Sequence, residues 1–256
     1  MIKVNLSGSV LLFVALLCIQ CNNQKKGKAE MATDTHTNTY QVKKINGSQE
    51  IDADWDKPIW KETQSLQLKN YMGDKPDHFP ETSAKVRYDE DHIYVIFQVH
   101  DRYIRAIAKE TNGRVYQDSC VEFFFSPGED VDRGYFNFEA NCKGVYLFQY
   151  HPGSDGSKGS FTQEEYDQIT ISHSLERDVE VESSEPETWT LEYKIPYSIL
   201  SNYIPVDKPK PGVIWRANFY KCADKTSHPH WLTWAPVDHP TPNFHLPEYF
   251  GQLTFE

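Results

Sequence analysis

An all-β fold is predicted, an antiparallel β-sandwich of two sheets in the jelly-roll or immunoglobulin-like manner. Three observations predict it. Eight short runs rich in β-branched and aromatic residues follow one another from Ser83 to Glu256, clusters of Gly, Pro, Asp or Asn bound most of them, and no long amphipathic helix interrupts them. With 256 residues, 39% of them hydrophobic and 14% aromatic, the chain can bury one sizeable core within a single domain.

From the N-terminus, Lys3 precedes the apolar run VLLFVALL (Val10 to Leu17), too short to span a bilayer and of the kind an export signal uses. It ends in Cys18-Ile19-Gln20-Cys21. The following NNQKKGKAEMATDTHTNT has no apolar periodicity and reads as a solvated tether. This arrangement resembles a bacterial lipoprotein leader, with residues 1–21 as signal, Cys21 lipidated, 22–39 as tether and 40–256 as the folded domain. Cys18 is the competing lipidation site, because Gln20 departs from the small residue expected before the modified cysteine. The leader implies export and a lipid anchor at the cell envelope, on the outer membrane. A formal charge of −11 repels phosphate backbones and argues against nucleic acid as a partner. Beyond the leader stand Cys120, Cys142 and Cys222, an odd count that builds no disulfide framework.

Within the domain, helical turns are expected near Trp55 to Trp60 and Tyr197 to Leu200, each placed by a neighbouring proline. The strands are SAKVRY (Ser83 to Tyr88), IYVIFQV (Ile93 to Val99), VEFFF (Val121 to Phe125), YFNFEAN (Tyr135 to Asn141), VYLFQY (Val145 to Tyr150), TWTLEYKI (Thr188 to Ile195), IWRANFYK (Ile214 to Lys221) and QLTFE (Gln252 to Glu256). Alternation puts Val121, Phe123 and Phe125 on one face of VEFFF, and Cys120, Glu122 and Phe124 on the other. Pairing the apolar sets as core gathers Glu122, Asn137 and Glu139 on the outer face of one hairpin, with Arg216 and Asn218 alternating likewise nearby. That face reads as polar, aromatic-studded and open to water. In this register Cys120 and Cys142 point to opposite faces.

Taken in order, INGSQEIDADWDKPIWKET, VRYDEDHIYVIFQVHD, VYQDSCVEFFFSP, YFNFEANCKG, WRANFYK and WAPV with FHLPEYFGQLTF resemble carbohydrate-binding module family 9 and its sandwich relatives. The resemblance implies a β-sandwich that binds sugars without cleaving them, often beside glycoside hydrolases or in envelope lipoproteins. It also implies that one sugar ring is held between two aromatic side chains, with polar strand residues on its hydroxyls. Tyr116, six residues before Glu122, takes the first aromatic position, where strong binders of the family carry Trp. The second comes from HPHWLTWAPV, where Trp231 is preferred to Trp234. The implied carbohydrate-binding set is therefore Tyr116, Glu122, Asn137, Glu139, Arg216, Asn218, Trp231 and Trp234.

Other motifs are weaker. Asp52, Asp54 and Asp56 have the spacing of a calcium loop, but Lys57 replaces its glycine and Thr63 its closing glutamate; Asp54 reads instead as a helix cap. The resemblance implies no required cofactor; relatives of the module carry structural calcium, which leaves room for one such ion without assigned ligands. The histidines lack a zinc-protease arrangement, and GSDGSKGS (Gly153 to Ser160) reads as a flexible loop. Two alternatives to sugar binding stand: a glycoside hydrolase using Glu122 and Glu139, disfavoured because an open sheet face would not raise the acid's pKa, and a structural or protein-binding lipoprotein with a decayed site.

Overall fold

The computed structural model describes residues 38–153 and 156–256. The leader, its candidate cysteines Cys18 and Cys21 and most of the tether lie outside the described residues. The described strands are β1 (Thr39–Lys44), β2 (Leu66–Gln67), β3 (Asn70–Tyr71), β4 (Glu81–Tyr88), β5 (His92–Asp101), β6 (Cys120–Ser126) and β7 (Tyr135–Asn141). They continue with β8 (Tyr146–His151), β9 (Gly159–Ser160), β10 (Thr170–His173), β11 (Glu187–Pro196), β12 (Ile214–Cys222), β13 (Trp231–Thr233) and β14 (Gly251–Phe255). Three one-turn helices, α1 (Pro58–Lys61), α2 (Gln163–Tyr166) and α3 (Tyr197–Leu200), complete the set.

The chain is all-β, as its composition of short runs requires, but the strands are not purely antiparallel. Eleven of them run in one path, β10-β11-β5-β4-β1-β14-β12-β6-β7-β8-β9, while β2 pairs with β4 and β13 with both β12 and β3. At its middle β1 pairs in parallel with both neighbours, Thr39 opposite Gln252 on β14 and Lys43 opposite Arg87 on β4. The path curls so that its two halves face one another across a shared core. Phe97 of β5 meets Phe219 of β12 at 6.0 Å between ring centroids, and Phe138 of β7 stacks on Tyr193 of β11 at 4.1 Å.

Period-2 alternation places the core-facing side chains as expected. Val121, Phe123 and Phe125 join Phe136, Phe138, Trp215 and Phe219 in the main cluster, with Phe123 stacked on Phe219 at 4.8 Å. Cys142 belongs to this cluster and Cys120 to a second one on the opposite face of the sheet. Trp234 also packs in the main core, its ring edge-on to Phe219 at 5.7 Å. Gly251 makes room for it, since a Cβ there would lie 2.6 Å from the indole.

Strand β5 is apolar on both sides because both sides are covered. Tyr94 and Ile96 face away from the core and pack against Trp60 of α1. Beneath that layer Glu192 of β11 is fully buried and fully engaged. Its carboxylate accepts Trp60 Nε1–H at 2.8 Å, the Ala53 amide at 2.9 Å, the Asp52 amide at 3.0 Å and the Lys57 ammonium at 2.8 Å. Lys57 Nζ also donates to Glu50 O at 2.6 Å and Asp52 Oδ1 at 2.8 Å. An ammonium thus stands among the oxygens that a calcium ion would need in the Asp52-Asp54-Asp56 loop. Asp54 does not cap α1: the cap position is Lys57, and Asp54 Oδ1 accepts the Asp56 amide at 2.9 Å instead.

Helix α2 was not anticipated, although its signature is present. Thr162 and Glu165 form a reciprocal capping box, the T-x-x-E arrangement that satisfies two otherwise orphaned amides. Part of the loop read as flexible is ordered, since β9 pairs with β8; residues 154 and 155 lie outside the described residues.

Candidate functional site

Registers on β6, β7 and β12 bring the candidate residues together. Glu122 lies opposite Glu139 on one side and Tyr220 on the other, while Cys120 lies opposite Cys222. The face they share is not the wet surface the alternation suggested. Glu122 is 2% exposed, Asn137 1% and Glu139 4%. A second apolar layer covers the face: Met72, Val115, Phe244 and Phe250 pack with Phe124 and Tyr220, and Phe244 stacks on Tyr220 at 4.0 Å. These covering residues come from the loops after β3 and β13 and from the turn before β6. Alternation within a strand cannot reveal what a distant loop will lay across it.

The layer leaves a cleft of about 320 Å³ whose lining includes Tyr116, Glu122, Asn137, Glu139, Trp231 and His245. Glu122 Oε1 accepts the Cys222 thiol proton at 3.0 Å, and Glu139 Oε1 accepts Asn137 Nδ2–H at 2.8 Å. The second carboxyl oxygen of each glutamate is buried without a protein partner. Burial pushes both carboxyls above the usual carboxylate range, Glu122 further because Cys222 and Glu139 add to it, Glu139 against the opposing hydrogen bond from Asn137.

The rest of the polar floor is engaged. His151 Nε2 lies 3.0 Å from Asn137 Oδ1 and its ring stacks on Tyr135 at 4.4 Å, while Tyr135 Oη is 2.9 Å from His245 Nδ1. Burial lowers both His151 and His245 to about 4, with Lys158 and, for His151, the neighbouring His245 adding to the effect. Both imidazoles are therefore neutral at pH 7, and His151 donates to Asn137.

Two aromatic side chains, both half-buried, stand in the lining. Tyr116 sits on the short 3-10 turn Val115–Gln117, and Trp231 begins β13. Asp224 ties them together: its amide donates to Tyr116 O at 3.1 Å, and its Oδ1 accepts Trp231 Nε1–H at 2.7 Å. Sequence reasoning missed Asp224, Lys158, Phe244 and His245. Only the position of Asp224 just past a strand end hinted at a role for it. A larger groove of about 1000 Å³ adjoins along Asp224, Trp231 and Pro242, but exposed loop residues wall it. The buried chemistry belongs to the smaller cleft.

Three of the expected residues lie elsewhere. Arg216 Nε donates to the Phe250 and Gly251 carbonyls at 3.0 and 3.1 Å, bracing β14. Asn218 Nδ2 donates to Ala235 O at 3.1 Å, and its Oδ1 accepts the Ala235 amide at 2.8 Å. Trp234 is core. The open sheet face that disfavoured a hydrolase is a covered pocket instead. Both carboxyls are raised in it, Glu139 to about 7 and Glu122 well above the carboxylate range, with burial the main cause.

The profile of carbohydrate-binding family 9 matches residues 54–255. A carbohydrate-binding protein, so described provisionally, from Bacteroides uniformis ATCC 8492 is 30% identical over 86% of this chain and 100% of its own, with a TM-score of 0.76. A family 9 carbohydrate-binding module from Caldicellulosiruptor kristjanssonii, solved with cellotriose, is 16% identical with a TM-score of 0.57, covering 86% of this chain and 94% of its own. The same kind of module solved with glucose gives 16% identity and 0.57, over 84% and 95%. These two share the fold. No curated protein sequence matches the chain.

Proposed function

The chain belongs to carbohydrate-binding family 9, and we propose that it binds a saccharide without cleaving it in the cleft floored by Glu122 and Glu139. One observation carries this reading: two buried carboxyl oxygens without partners face a cleft whose lining also holds two aromatic rings. Orphaned buried polar atoms cost about 1–3 kcal/mol each, and sugar hydroxyls would relieve that cost. Tyr116 and Trp231 offer apolar ring faces to the C–H side of a pyranose, and the β-sandwich of the family supplies the rigid frame. Cellotriose and glucose, the ligands of the Caldicellulosiruptor modules, are the first to try.

Calorimetry with a panel of oligosaccharides, paired with an assay for released reducing ends, tests the reading. Binding with no release supports it. Release instead would make the protein a hydrolase, and silence in both assays would leave the structural-lipoprotein alternative. The anchoring part of the proposal, a lipid on Cys21 holding the module on the outer membrane beside glycoside hydrolases, rests on the leader. Cys21→Ser should move the protein to the soluble fraction; release by Cys18→Ser instead would move the lipid to Cys18.

A further inference from the structure

Cys120, Glu122 and Cys222 occupy one corner of the buried face, and their arrangement follows from strand geometry. Residues two apart on β6 share a face, and Cys222 is the cross-strand partner of Cys120, so the three side chains form a triangle. Their sulfur and carboxyl oxygen atoms all lie within 4.8 Å of one another. Cys222 Sγ is 3.0 Å from Glu122 Oε1, and Cys120 Sγ is 3.9 Å from the same oxygen. All three residues are at most 2% exposed, neither cysteine is in a disulfide, and Glu122 Oε2 has no protein partner. A tetrahedral metal with metal–sulfur bonds of about 2.3 Å and a metal–oxygen bond of about 2.0–2.2 Å fits donors at such spacings.

We propose that Cys120, Cys222 and Glu122 bind one borderline-soft divalent cation of the zinc class, with its fourth position open to the cleft. Two sulfur donors select against calcium and magnesium, which take oxygen. The carboxylate on the third corner suits zinc. Without metal the thiols keep their protons, burial holding Cys120 up at about 12 and Cys222 well above its ordinary value. On loading, each thiol and the carboxyl give their protons to solvent, and the metal–ligand bonds replace the Cys222–Glu122 hydrogen bond. The cation would neutralise most of the charge that the three donors would otherwise bury. The inference does not rest on sugar binding.

Cobalt(II), added under anaerobic, reducing conditions to the full-length chain, is the probe. Expected are thiolate-to-cobalt charge-transfer bands with tetrahedral visible bands, saturating at one equivalent and displaced by zinc. Cys142→Ser and the double change Cys18→Ser, Cys21→Ser keep them. Cys120→Ser and Cys222→Ser each abolish them, and Glu122→Gln weakens cobalt binding by at least roughly tenfold. Melting of each metal-free variant checks folding, and Glu122→Gln carries the test where a serine variant does not fold. Absent bands, bands that survive either serine substitution, or unchanged affinity in Glu122→Gln overturn the site. So does a Cys120–Cys222 disulfide in protein isolated from cells.

Discussion

Two buried glutamates, one in each half of the curled sheet, have opposite surroundings. Glu192 sits in a closed cage, its oxygens met by an indole, two backbone amides and the Lys57 ammonium. Glu122 is as deeply buried, yet only the thiols of Cys222 and, more distantly, Cys120 meet one of its oxygens, and the other is left bare. Burial is the same and satisfaction is not. A carboxylate whose every lone pair is met inside the chain is part of the frame. One left half-met beside a cleft is where something from outside belongs. Near Glu122, His151 and His245 are kept neutral chiefly by burial, with the Lys158 charge adding to it.

The largest effect expected from breaking this comparison is at the cage. Glu192→Gln should lower folding stability by about 3 kcal/mol, because a buried amide cannot accept from all four donors and the Lys57 ammonium keeps only Asp52 as counter-charge. Denaturant unfolding measures this, and Lys57→Met combined with Glu192→Gln should recover part of the loss. Next comes the cleft rim. Trp231→Ala should weaken saccharide binding by about 2 kcal/mol, near thirtyfold, in calorimetry while leaving the melting temperature within a few degrees, with Tyr116→Ala following in the same direction.

A smaller effect is set by pH. Between the ordinary histidine value of 6.5 and about 4, the unfolded chain takes up protons that folded His151 and His245 refuse. Their contribution to stability is therefore complete above pH 6.5 and is lost as pH falls toward 4. Glu122 and Glu139, raised in the fold, give a slope of the other sign, so the wild-type curve mixes the two. The difference between wild type and His245→Gln across that window isolates the histidine part, and a flat difference would refute it. The smallest effect belongs to Glu122→Gln in metal-free protein: a change in stability of at most about 1 kcal/mol, since no ion pair is broken. A loss as large as that of Glu192→Gln would erase the distinction between the two sites.

The frame was legible because it is written locally. Period-2 alternation in VEFFF and YFNFEAN assigned Phe123, Phe125, Phe136 and Phe138 to the core, and a proline positioned α3. The same alternation brought Glu122, Asn137 and Glu139 together, since register is a consequence of the pattern. It failed where long-range loops decide. Nothing within β6 announces that Phe244 and Phe250, more than a hundred residues later, will roof its outer face. Arg216 and Asn218 alternate correctly, but their partners are carbonyls and amides of β14 and the loop after β13, which carry no side-chain signature. Two-residue strands such as β2, β3 and β9 are too short for any period to register.

The parallel pairing of β1 with β14 couples the first described strand to the last. Thr39 to Val42 find their neighbours only at Gln252 to Phe255, and Gly251 must arrive before Trp234 has its seat. The middle of the sheet therefore cannot close on a nascent chain: until the final strand leaves the ribosome, β1 and β12 each lack a neighbour, and the loop to be closed is almost the whole domain. A chain built this way keeps the middle of its sheet open until β14 has been made.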